Sequence, residues 1–202
     1  MFLSRRKLLN YINCTGIAAI STPIFGAINT NGNTHHLDYF KFTIGNIKIT
    51  VVSDGGFQLP ISSIDINSTE ESLKKHLRKY HMPDDHIYMN TNLAVIEVEE
   101  NKLIIDVGSG SRFIGSTGKL FDNLSKANID PDSITHVFLT HAHPDHILGI
   151  RDDFDETIFP DAKFMISEKE YNWWTKKYRV NEVEETFIQM VLWAQNSLNA
   201  IP

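Results

Sequence analysis

The sequence predicts an α/β fold, and three observations predict it. Short apolar runs at 44–52, 93–98, 103–107, 137–139 and 163–166 are rich in β-branched and aromatic residues, as strands are. Helical patterns at 68–80 and 119–128 fall between them, and strands alternating with helices imply an α/β layering. The run Val137-Phe138-Leu139 then opens directly into Thr140-His141-Ala142-His143-Pro144-Asp145-His146. The C-terminal end of a strand is where such folds place their chemistry.

Taken in order, the chain begins with Ser4-Arg5-Arg6-Lys7-Leu8-Leu9, a twin-arginine pattern. An apolar stretch over 12–28 follows, interrupted by Asn, Thr, Gly and Pro, with the small residues Gly26 and Ala27 near its end. A basic start, a modest apolar middle and a small-residue end describe an export signal over 1–27 rather than a membrane span. The expectation is a periplasmic protein, exported by the twin-arginine route, without a stable membrane anchor. Cys14, the single cysteine, lies inside this segment, so the exported chain has neither a disulfide nor a thiolate ligand. Tyr11-Ile12-Asn13 before it is a poor match to a lipoprotein signal. Residues 28–37 read as a polar linker and 38–202 as one domain.

Removing Arg5, Arg6 and Lys7 leaves 16 of the 19 basic residues against 25 acidic ones, a net charge of −9. That surface attracts neither a phosphate backbone nor anionic headgroups. The expected partner is a small-molecule substrate, and a homodimer is possible.

Within the domain, Ser68-Thr69-Glu70-Glu71 has capping-box spacing, with Leu73, Leu77 and Tyr80 at helical intervals until Pro83 stops the helix. The segment 119–128 repeats the pattern with Leu120, Leu124 and Ala127. Ser167 to Glu170 forms a second capping box, opening a helix through Trp173 and Trp174, at least one of which belongs in the core. A last amphipathic helix over 181–198 carries Val183, Phe187, Met190, Val191 and Ala194. The glycines of 108–118 do not make a phosphate loop, because Gly118-Lys119 is followed by Leu120 rather than Ser or Thr. His35, His36, His76, His81, His86 and His136 are scattered and read as structural or exposed, with His81 to His86 as a loop beside the cleft.

The cluster at 141–146 carries the chemistry. His141 and His143 are one residue apart, so extended backbone sends both rings to one side. Pro144 turns the chain so that Asp145 and His146 face a second point. Imidazole nitrogen and carboxylate oxygen are the ligands that borderline divalent cations such as Zn²⁺ prefer. A lone histidine here would read as a surface accident; three with an aspartate read as a metal site. Asp106 ends an apolar strand before Gly108-Ser109-Gly110 and reads two ways. It is either a carboxylate that orients the ligand imidazoles or a plain turn residue.

The pattern His141-x-His143-x-Asp145-His146 resembles the signature of the metallo-β-lactamase superfamily. Residues 44–55, Asn92-Leu93-Ala94-Val95-Ile96 and Leu103-Ile104-Ile105-Asp106-Val107-Gly108 resemble its strands. Phe159-Pro160-Asp161, Glu168, Glu170 and Trp173-Trp174 resemble the branch of methyl parathion hydrolase-like enzymes and lactonases. The likeness runs over about 38–178 and is most specific over 103–150. It implies an αββα sandwich in which His141 and His143 bind one metal and Asp145 and His146 a second. The implied cofactor is Zn²⁺, two per complete site, with other divalent metals possible. The implied activity is hydrolysis of an ester, lactone or phosphotriester by a metal-bound hydroxide, with Asp145 also able to accept the nucleophile's proton.

In that family the second half of the fold adds a histidine, a bridging aspartate and a last histidine. Here no histidine follows His146 and no aspartate follows Asp161. The expectation is therefore the N-terminal half and a little more of the sandwich. The alternative is a truncated, catalytically inactive remnant that binds metal weakly or not at all. A redox member using iron is the rival within the superfamily. A half-sandwich should leave one sheet face short of neighbours, with Ile104, Val137 and Leu139 expected to suffer.

Overall fold

The computed structural model describes residues 37–64 and 68–201. The expected export signal, His35, His36 and all of the linker except Leu37 lie outside the described residues.

The first strands are β1 (Tyr39–Ile44) and β2 (Ile47–Pro60), so the run expected from residue 44 is the second arm of a hairpin. Its two-residue turn pairs Ile44 with Ile47, and Gly45 supplies the positive φ of 60° that such turns demand. β2 continues past a register shift between Ser53 and Gly55 and pairs antiparallel with β3 (His86–Val98). His86 therefore opens a strand and is not part of a loop. β4 (Asn101–Ile105) pairs antiparallel with β3 and parallel with β5 (His136–Leu139), which pairs parallel with β6 (Lys163–Ile166). The six strands lie in sequence order in one mixed sheet. β4 stops two residues before the run expected from the sequence, because Asp106 leaves the strand with φ 61°.

Period-two alternation gives the sheet two apolar faces. Thr50, Val95, Ile104, Val137 and Phe164 are register partners across five strands, and Ile104 and Val137 are fully buried. Helical residues cover that row: Leu120, Leu124, Ala127, Trp174, Val191, Ala194 and Leu198 share its core. The neighbouring row, Phe40, Val51, Ala94, Ile105, Phe138 and Met165, points the other way. There Phe40 is 49%, Phe138 42% and Met165 39% exposed. The expectation of one poorly covered face is right, but the residues are not. Ile104, Val137 and Leu139 are at 0% exposure, and the bare row lies one residue out of phase with them.

The helices are α1 (Glu70–Lys79), α2 (Leu120–Lys126), α3 (Pro144–Ile147), α4 (Glu168–Thr175) and α5 (Glu185–Leu198). Neither expected capping box forms. Thr69, not Ser68, caps α1 by accepting from Ser72 N at 3.2 Å. Ser167 makes no side-chain cap on α4, and the Glu170 carboxylate is engaged elsewhere. α1 ends at Lys79, before Pro83, where His81 takes up φ 56° and Met82 N bonds Leu77 O. α2 is shorter than the expected 119–128, with Ala127 as its C-cap. α5 starts at Glu185 rather than 181, because Arg179–Asn181 form a separate 3-10 turn. Among the described residues no helix is long and apolar enough to cross a membrane.

Candidate metal centre

β5 ends at Leu139, and the chain bends at Thr140 before Pro144 starts α3 with His143, in extended backbone, as its N-cap. Proline suits the first helical position because the amide it lacks would be unpaired there. This short path gathers the predicted residues. The His141 and His143 rings lie 4.6 Å apart, and the His141 and His146 rings 3.9 Å. Asp145 Oδ2 is 3.2 Å from His146 Nε2. The turn at Pro144 thus folds His146 back onto His141 instead of turning it toward a second point, and the four side chains form a single cluster.

Asp106 resolves in favour of the orienting role. It accepts from Thr140 N at 2.7 Å and from the Thr140 hydroxyl, while its Oδ2 lies 2.8 Å from His146 Nδ1. The Thr140 hydroxyl lies 3.0 Å from His141 Nδ1. Because that hydroxyl donates its one proton to Asp106, it is left to accept from His141 Nδ1–H. One buried carboxylate therefore sets two imidazoles, His146 directly and His141 through Thr140. In both it puts the proton on Nδ1 and turns Nε2 toward the cluster. Asp106 reaches this position by adopting a left-handed backbone, which aspartate tolerates better than most residues.

The electrostatics separate the imidazoles. Burial pushes His141 below its usual pKa, and His146 and His143 push it the same way, so it is neutral at pH 7. Burial also pushes His146 down, but its bonds to Asp106 and Asp145 outweigh that and hold it up at about 9. Burial pushes the Asp145 carboxyl up, and pairing with His146 brings it below the usual carboxylate range.

Three supporting side chains went unread in the sequence. Thr140 has just been described. Glu170 Oε1 accepts from Ala142 N, between the two histidines. Asp54, fully buried in β2, accepts from Ser109 N and Leu120 N at 2.9 Å each and so ties β2 to the loop after β4 and to α2. Burial raises its pKa despite those bonds. A Cβ on Gly108 would sit 2.7 Å from the Asp54 carboxyl carbon, which explains that glycine. The one signal for Asp54 was an acid inside an apolar strand before Gly55-Gly56. A cavity of about 530 Å³ beside Asp54, Phe121, Asp130 and Phe159 includes none of the four clustered residues.

Three imidazoles and a carboxylate at one strand end, with His141 neutral and its tautomer set, match the donor chemistry of a borderline divalent cation. Among the described residues, however, no three such side chains are already spaced to hold an ion. His146 Nε2 faces Asp145 Oδ2 at 3.2 Å, and the proton between them must leave before a cation can take both.

Comparison with known proteins adds the wider context. Residues 87–187 match the family model of the metallo-beta-lactamase superfamily. No curated protein matched. Among solved structures, the chain is similar to AidC, a dizinc quorum-quenching lactonase in complex with a homoserine product. The two superpose with a TM-score of 0.74 at 28% identity, over 81% of this chain and 58% of that one. It is also similar to the hydrolase AbOPH of the beta-lactamase superfamily (TM-score 0.72, 22% identity, 82% and 56% coverage). A third likeness is to a probable metal-dependent hydrolase from Staphylococcus aureus (TM-score 0.56, 22% identity, 66% and 51% coverage). The last two likenesses speak to fold alone. The chain spans somewhat more than half the length of these structures.

Proposed function

We propose that this chain, which belongs to the metallo-beta-lactamase superfamily, carries part of the centre of a metal-dependent hydrolase acting on a lactone or related ester. The observation behind this reading is the Asp106–Thr140–His141 and Asp106–His146 network, which presents imidazole Nε2 atoms into a cluster with Asp145. The likeness to a dizinc lactonase supports a lactone over a phosphotriester and Zn²⁺ over other divalent ions.

His141, His143, Asp145 and His146 would hold the metal, which when bound supplies Lewis acidity and makes water a stronger acid near neutral pH. The protein's own contribution is orientation. His141, neutral through burial, offers a lone pair without first losing a proton. His146 must release one, so uptake is linked to proton release. Asp145, ionised well below neutrality, can hold charge at the cluster and accept a proton from the attacking water. Trp174, edge-on to His143 at 5.8 Å, closes one side with an apolar wall.

The test is titration of the purified chain with Zn²⁺ and Co²⁺, with ring opening of an acyl homoserine lactone followed by proton release. The expected result is weak uptake and slow opening that depends on added metal, both lost in the His141→Ala/His143→Ala double variant. Opening that persists in that variant, or with a chelator present, would overturn the reading.

A further inference from the structure

We infer that Glu170, secured by Trp174, is a positioning residue for the candidate metal centre. It holds the main chain between His141 and His143 so that both rings stay on one side. This inference rests on the metal reading of the cluster.

Thr140 and His141 are oriented by Asp106, but nothing in that network reaches His143, the most exposed ring of the set. The backbone beyond His141 has left β5 and has no strand partner. Its Ala142 amide is buried, and an unpaired buried amide costs about 1–3 kcal/mol. Glu170 Oε1 accepts from that amide at 3.0 Å, replacing the ladder bond the strand no longer provides. A free carboxylate on α4 would turn to solvent. The Trp174 indole prevents this by donating to the same oxygen at 2.6 Å.

Trp174 is in turn fixed. It is 5% exposed, packs in the core with Val191 and Ala194, and stacks edge-on with Trp173 at 4.6 Å. Gln195 of α5 bonds its carbonyl at 3.1 Å. The same indole also lies 5.8 Å from the His143 ring, at nearly a right angle to it. One residue pair thus sets the main chain before His143 and the wall beside it. The local sequence was available for capping: Ser167 stands three residues before Glu170, yet no cap bond is made. The carboxylate is committed to the metal loop instead.

The test uses the full chain, with the Glu170→Ala, Glu170→Gln and Trp174→Phe variants. In the metal-free protein, the Ala142 amide should exchange slowly, and His141 and His143 ring protons should show mutual NOEs. Glu170→Ala should lose both. Glu170→Gln, whose carbonyl oxygen still accepts, should keep both. Trp174→Phe, which keeps the packing but frees Glu170, should fall between them. Co²⁺ affinity should drop by about 10–100-fold in Glu170→Ala and be restored in Glu170→Gln. Equal melting temperatures across the set would exclude a fold effect, and if Glu170→Ala does not fold, the Trp174→Phe variant carries the same comparison. Retained protection and NOEs in Glu170→Ala, or unchanged Co²⁺ affinity, would overturn the inference alone. Failure of the wild type to take up Co²⁺ would overturn the metal reading and the inference with it.

Discussion

At the scale of single residues, Asp106 determines how the cluster behaves before any metal arrives. His146 is held up at about 9 in the folded chain against an ordinary value near ~6.5 when unfolded. A raised folded value means that its contribution to stability is fully present below about pH 6.5 and is lost as pH rises through about 9. The metal-free chain should therefore melt at a lower temperature at pH ~9.5 than at pH ~6. In Asp106→Asn the backbone can keep its left-handed turn, but the charge is gone. The His146 NMR titration should then move toward its ordinary value and the pH dependence of melting should flatten. An unshifted titration would mean that Asp145 alone holds the proton. The four clustered residues were legible in the sequence because their identity is the chemistry. Thr140 and Glu170 were not, because any polar side chain matches their pattern, and only the folded path shows which backbone groups need partners.

At the scale of elements, strand and helix positions were legible in the sequence, but their ends were not. Apolar periodicity marks the middle of an element, where burial is uniform, whereas ends are decided by local hydrogen bonds that compete closely. α1 shows this: Ser68 and Thr69 both offer a capping hydroxyl, and Thr69 wins by one position. Thr69→Ala should cost about 1 kcal/mol in chemical unfolding, and Ser68→Ala almost nothing. The reverse order would restore the capping box at Ser68. β1 went unread as a separate strand although Phe40-Lys41-Phe42-Thr43-Ile44 alternates apolar with polar residues, and in the fold it is exposed along its whole length. The early end of β4 had no sequence signal, since Asp106 leaves the strand only to meet Thr140 and His146.

At the scale of the whole molecule, the sheet is, among the described residues, covered on one side and half-bare on the other. Contiguous exposed apolar surface of this kind marks a surface meant to be in contact. The isolated chain should bind a hydrophobic dye and sediment as concentration-dependent oligomers, and Phe138→Glu with Met165→Lys should reduce both while leaving the melting temperature within a degree or two. Dye binding unchanged by that pair would place the sticky surface elsewhere. The sheet's strand order has a further consequence, for the time course of folding. β1 and β2, and β3 and β4, are joined by two-residue turns, whereas β3 can dock beside β2 and β5 beside β4 only after the segments 61–85 and 106–135 have closed. Closing such a span is slow compared with hairpin formation. Asp106 stands at one end of the second closure and Thr140 and His146 at the other, so the reactive cluster is among the last features to be oriented. A refolding chain would form its hairpins first and orient its cluster afterwards, and a metal ion present from the outset would meet four neighbouring side chains that Asp106 has yet to orient.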